Sequence, residues 1–172
     1  KPLRPFQTMD ELAAKASAIF HDVDPDLGAQ FEQMRAQQLL DLLNRPHKAP
    51  GAYCTNYEYA RVPFIFMNAV GTHEDVQTLL HETGHAFHTF ASMQMPYVQQ
   101  HAVPLEFCEV ASTAMEFLGA PYFNRAGGFY NDADAARARI ERLETTIFFW
   151  PYMAVVDLFQ HWAYENPSAA MD

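Results

Sequence analysis

The chain is poor in cysteine, in positive charge and in long apolar runs, and each shortage removes a class of protein. Two cysteines in 172 residues cannot staple a disulfide scaffold, and Cys54 and Cys108 do not form the Cys-x-x-Cys spacing of a thiolate zinc site. Such sparse usage suits a reducing compartment, so a cytoplasmic location is expected. Eleven Lys and Arg stand against 21 Asp and Glu, a formal net charge of −10. With no basic stripe to neutralise phosphates, a nucleic-acid partner is not expected, nor is docking on anionic lipid. No apolar run approaches the roughly 20 residues of a membrane span, and no basic-then-apolar leader opens the chain. It starts on Lys1 rather than Met and is read as a piece of something longer. Internal repeats and low-complexity linkers are also missing, which leaves residues 1–172 as one expected domain.

What is present is a globular composition, 49% hydrophobic and 19% charged, patterned mostly for helix. "TMDE" reads as a capping box, Thr8 with Glu11, ahead of Leu12, Ala16, Ile19 and Phe20 at helical spacing. Asp24 and Pro25 open a second helix whose apolar face runs from Leu27 through the leucines to Leu43, where Asn44 and Pro46 stop it. "AYCTNYEYA" and "VPFIFMNAV" are aromatic and β-branched, and read as a small hairpin or two short strands. Thr72 with Asp75 caps the next helix. Pro104 starts another that ends at Gly119, residues 121–131 read as loop, and a long helical pattern from Asp132 to Tyr164 meets a kink or break at Pro151. The expected fold is mainly α: a helical zincin-like core with one small β-hairpin or short sheet before the helix of residues 79–88.

That helix carries the chemistry. In "LLHETGHAFH", His81 and His85 stand at i, i+4 and project from one face about one turn apart. Two imidazoles so placed can bind one Zn²⁺ at about 2.0–2.1 Å each. Glu82, beside the first histidine, can reach a water on the metal without being a ligand. This is HExxH, two ligands and a general base from one turn. Chance gives about 0.02 occurrences in a chain of this composition, so the alternative of an amphipathic helix with surface histidines is the weaker one. Gly84 costs such a helix up to about 1 kcal/mol and implies that something passes close to the backbone. His88 extends the face, but three ligands from one straight helix would crowd the metal, so it is read as packing or outer support.

A catalytic zinc site needs a third protein ligand and an open position. In "PLEFCEVASTAMEFLG", Glu106, Glu109, Thr113 and Glu116 form one polar stripe on an otherwise apolar helix. The stripe either faces water or faces a metal; a helix apolar around most of its circumference is usually buried, and buried acids need partners. Glu109 is the candidate ligand, 24 residues past His85, far enough for a return helix. Glu106, one turn earlier, is the candidate acceptor for a ligand imidazole's second nitrogen. Cys108 is expected to be an inert buried thiol and His161 a hydrogen-bonded core residue.

"HETGHAFH" followed by "LEFCEVAST" resembles the thimet oligopeptidase superfamily, and within it the oligoendopeptidase F branch. "KAPGAYCT", "PFIFMNAVGTHEDVQTLLHE" and "FFWPYMAVVDLFQHWAYENP" are similar to its flanking segments, so the resemblance spans nearly the whole chain. It implies Glu109, in an E-x-x-S element with Ser112, as third zinc ligand, and it matches the family's preceding acid to Glu106. It implies a mostly helical enzyme whose deep channel admits oligopeptides and excludes folded proteins. Family members run to several hundred residues, with a large N-terminal helical part and a later tyrosine-bearing segment that meets the substrate and the oxyanion. The chain is therefore expected to be the zinc-binding part of a longer oligopeptidase, completed by the remaining segments of its parent.

The expected reaction is hydrolysis of internal bonds in short peptides, with one Zn²⁺ per chain held by His81, His85 and Glu109 and with Glu82 as general base. Tyr57 and Tyr59 are candidate oxyanion donors, though hairpin packing is the commoner role of such residues. The strand "PFIFMN" is a candidate edge for an extended peptide. Two alternatives stand beside this reading. A di-metal carboxylate bundle would need a second Glu-x-x-His, and the residue three before His161 is Leu158. A non-catalytic helical module stapled by zinc would want four protein ligands, usually with Cys.

Overall fold

The computed structural model describes residues 2–171. Thr8 caps α1 (Met9–Val23) by accepting the Glu11 N–H, and the Glu11 carboxylate reaches back to the Gln7 N–H. Asp24 ends α1 and caps α2 (Pro25–Ala36), with Pro25 in the first turn where its missing N–H costs nothing. The pair buries Leu12, Ile19, Phe20, Phe31 and Met34, with the Phe20 and Phe31 rings edge to face at 4.9 Å.

The leucines after Ala36 do not continue the helix. Gln38 takes a left-handed φ of 56°, and Leu40–Leu43 form strand β1. Leucines at 39, 40, 42 and 43 fit either period, and pairing with a third strand decides between them. β2 (Tyr53–Tyr57) and β3 (Val62–Ala69) complete a sheet of order β1-β3-β2, in which β1 pairs with β3 in parallel and β2 with β3 in antiparallel. β3 alternates buried and half-buried residues, with Ile65, Met67 and Ala69 in the core. It lies in the middle of the sheet.

Lys48 stitches this sheet. Its ammonium is almost fully buried, donates to the carbonyls of Asp41 and Leu43 on β1 (3.0 Å each) and of Met67 on β3 (2.5 Å), and lies 4.4 Å from the centre of the Phe66 ring. The Asp41 carboxylate balances it at 3.0 Å while taking a two-pronged grip from Arg45 at 2.6 and 2.9 Å.

After β3 the chain turns into α3 (His73–Ser92) through Gly71, whose φ of 94° favours glycine. One carboxylate oxygen of Asp75 accepts the N–H groups of Val70, Gly71 and Thr72 at 2.7–2.9 Å, and Thr72 caps the helix in return. A single-turn 3₁₀ helix (Val98–Gln100) lies in the connection to α4 (Leu105–Gly119), and another (Ala120–Tyr122) follows it. These elements belong to a compact unit of residues 1–135; a second unit comprises residues 136–172. α5 (Asp132–Glu165) lies in the second unit from Ala136 on, and it includes Pro151 within its span rather than ending there. His161 on it is exposed, 3.8 Å from Asp157 one turn back, and is not the core residue expected. None of the described helices is long and apolar enough to cross a membrane.

Hydrogen bonding from Arg45, assisted by Lys48, holds the Asp41 carboxyl below its ordinary value of 3.8. Its contribution is therefore complete above that value and is lost as pH falls through the lower native one. Asp41→Asn is expected to lower stability at neutral pH by about 1–3 kcal/mol. It should also flatten stability against pH on the acid side, read by denaturant titrations from pH 7 to 2.

Candidate metal centre

Helix α3 presents two faces. Val76, Leu79, Leu80, Thr83, Ala86 and Phe87 point into the core, where Phe87 meets Phe20 edge to face at 5.2 Å. His81, His85 and His88 line a groove on the other side. Helix α4 crosses close by: a Cβ built on Gly84 would lie 2.6 Å from both the Ala111 carbonyl oxygen and the Ser112 Cα. This contact of backbone on backbone is the close passage that the glycine implied.

The approach brings Glu109 to the histidines. His81 Nε2 lies 3.2 Å from Glu109 Oε2, and His85 Nε2 lies 3.7 Å from Glu109 Oε1. One ligand atom from each of the three residues falls within 4.8 Å of the others, which fits a single ion bound at about 2.0–2.2 Å. Two imidazoles and a carboxylate are a borderline-hard donor set suited to Zn²⁺. Ser112, fully buried, donates to Glu109 Oε2 at 2.9 Å and to the Glu109 carbonyl at 3.1 Å, which fixes the carboxylate from behind.

The acid behind His81 is Glu116, two turns beyond Glu109, rather than Glu106. Glu116 is buried and its Oε1 lies 2.9 Å from His81 Nδ1, the geometry that leaves Nε2 free to ligate. Glu106 is exposed in the first turn of α4. The polar stripe was legible, but i to i+7 returns to the same helix face as well as i to i−3 does. Which acid faces His81 depends on the direction in which α4 crosses α3.

Glu82 is 7% exposed and lines the groove beside His81 and Cys54. Burial raises its pKa, the nearby Glu109 charge adds to that, and His81 and the Cys54 N–H oppose it. A carboxyl held in this way is suited to taking and returning a proton. The hydrogen bond that His81 donates to Glu116 raises the His81 pKa, whereas burial lowers that of His85. Cys54 and Cys108 are both free. Burial, together with Glu82, pushes the Cys54 thiol up to about 12, so it stands beside Glu82 as a neutral group. Sequence reading overlooked Cys54, which carries no motif.

The tyrosines named as oxyanion donors do not line this groove. Tyr57 packs against Phe64 with ring centres 6.1 Å apart, and Tyr59 is fully exposed at the hairpin turn. The strand that borders the histidines is β2, through Tyr53 to Asn56, not the buried β3. β3 is flanked by β2 over Val62–Phe66 and by β1 over Ile65–Ala69, so it is the central strand and not the outer edge.

Gly84→Ala tests the helix crossing by its sign. On an isolated helix the change would stabilise by about 1 kcal/mol. Against the α4 backbone it is expected to destabilise by about 1–3 kcal/mol, read by chemical denaturation.

The model of peptidase family M3 matches residues 16–171. The chromosomal oligoendopeptidase F of Lactococcus lactis subsp. cremoris is 36% identical over 81 residues, covering 46% of this chain and 13% of that protein. The plasmid-encoded form is 36% identical over 89 residues, covering 51% of this chain and 14% of its own length. The structure of Pz peptidase A with an inhibitor superposes at a TM-score of 0.88 and 34% identity, over 98% of this chain and 29% of that one. The chain thus spans a seventh or less of the curated relatives it matches. Its fold, its groove and its sequence agree: it belongs to peptidase family M3, and within that family it is similar to oligoendopeptidase F.

Proposed function

We propose that this chain is the zinc-binding part of an oligopeptidase that hydrolyses internal bonds of short peptides. The observation that carries the reading is the meeting of His81, His85 and Glu109 within 4.8 Å, beside a buried Glu82. Zn²⁺ held by those three residues would polarise the scissile carbonyl and acidify a water. Glu82 takes the water's proton and returns it to the leaving amine. Glu116 and Ser112 hold His81 and Glu109 in the ligating orientation. Along the groove, β2 pairs with β3 on one side only, so its other edge can add an extended peptide by backbone hydrogen bonds. Two free cysteines fit a reducing, cytoplasmic setting. The remaining segments of the parent enzyme supply the rest of the substrate channel and the oxyanion donor.

Two variants test the roles separately. Glu82→Gln in the parent enzyme is expected to keep its zinc, measured by metal analysis, and to lose cleavage of a quenched peptide. Full activity in that variant would sink the mechanism. Glu116→Gln is expected to weaken zinc about 10- to 100-fold in a chelator competition. Unchanged affinity would remove Glu116 from the site.

A further inference from the structure

β2 meets the groove through alternate residues. Asn56 is matched with Pro63 on β3, and proline has no N–H to give, so the ladder bonds run through Tyr53, Thr55 and Tyr57. Cys54 and Asn56 therefore turn their backbone groups to the open edge, where the Cys54 N–H meets the Glu82 carboxyl. Ala52, two residues earlier, continues this series. It borders the main groove and also a smaller cavity that Gln77, Thr78 and Glu116 line, so with His81 and Glu82 it stands on the border between the two.

The ladder itself does not hold Ala52. Pairing with β3 starts at Tyr53, matched with Phe66, and Gly51 takes a φ of 99°, which ends the extended run. Asn68, two residues past Phe66 on β3, supplies the missing link. Its Nδ2 donates to the Ala49 carbonyl at 2.8 Å and to the Gly51 carbonyl at 2.9 Å, while its buried Oδ1 finds no partner among the described residues. The amide serves here only as a double donor. Beside it the Met67 carbonyl takes the Lys48 ammonium, so two successive residues of β3 hold the segment 48–51.

We propose that Asn68 is a positioning residue for the peptide: by gripping residues 49 and 51 it keeps Ala52 in line with Cys54, so that the pairing edge continues past His81 into the smaller cavity. The inference rests on the peptidase reading. Asn68 does not touch the substrate; it acts through the backbone of Ala52, which takes no part in the pairing with β3. A peptide paired with Cys54 alone is held at one point. One that also pairs with Ala52 is held at two, and its course past His81 is fixed.

The experiment uses the full-length parent enzyme carrying Glu82→Gln with zinc bound, and a peptide series in which each amide N–H in turn is replaced by an ester oxygen. Dissociation constants are read by fluorescence anisotropy. Where an N–H pairs with the edge, the ester should weaken binding about 3- to 10-fold, the effect of one lost hydrogen bond. Asn68→Ala should shrink that penalty to within about twofold at the position that meets Ala52 and leave it in place at the position that meets Cys54. A general loss of structure would weaken all the peptides alike and keep the pattern of penalties. Asn68→Asp, which has the same shape but lacks the two donors, should act as Asn68→Ala does, and takes its place if the alanine variant does not fold. The same penalties in every variant, or no ester penalty at any position, overturn the role of Asn68 while the peptidase reading stands. If the zinc-loaded enzyme binds no peptide and the active parent cleaves none, the peptidase reading falls and the role of Asn68 falls with it.

Discussion

The metal centre depends on one steric fact, the passage of α4 over α3 at Gly84. Packed helices ordinarily keep their axes 8–10 Å apart because side chains fill the seam. Here the seam holds no side chain at the crossing, and the Ala111 carbonyl and Ser112 Cα occupy the place a Cβ would take. Glu109 stands one turn before Ser112, so the depth of the crossing sets the distance from its carboxylate to both imidazoles. Every polar contact of the cluster follows from that depth. Ser112 reaches Glu109, and Glu116, two turns past Glu109, reaches the far nitrogen of His81.

The crossing also gathers charge. Glu82, Glu109 and Glu116 surround two histidines in a chain of net charge −10, and two of those three acids are buried. Buried acids without partners are costly, and the raised pKa of Glu82 records both its burial and the neighbouring Glu109. A divalent cation on the three ligand atoms would relieve that repulsion, which would couple folding to metal affinity at this crossing. The sheet meets its own buried charge differently. Lys48 finds three carbonyls and the Asp41 carboxylate, and needs no ion.

Local chemistry in the sequence located most of the elements. The caps at Thr8, Asp24 and Thr72 mark helix starts because each offers an oxygen to a nearby unpaired N–H, a matter of three or four residues. His81, Glu82 and His85 were legible for the same reason, since one helical turn fixes their relation. The failures share the opposite property. β1 was read as helix because its leucines satisfy both periods, and only pairing with β3, over 20 residues away, decides the matter. Glu106 and Glu116 lie on one stripe, and the crossing angle of a second helix selects between them. Strand order likewise makes β3 central, which no property of "PFIFMN" by itself reveals.

Strand order has a consequence for chemistry. β3 leads directly into α3, so the covalent path fixes the helix to the middle of the sheet, and Asp75 makes that junction rigid by gathering three backbone donors. β2, flanking β3, is then carried alongside the exposed face of α3 instead of beneath it. The edge with unspent backbone groups and the face with the histidines become the two sides of one groove. On the proposed reading, a peptide paired along that edge would pass His81, His85 and Glu109 whatever its side chains are, because the pairing groups belong to the backbone.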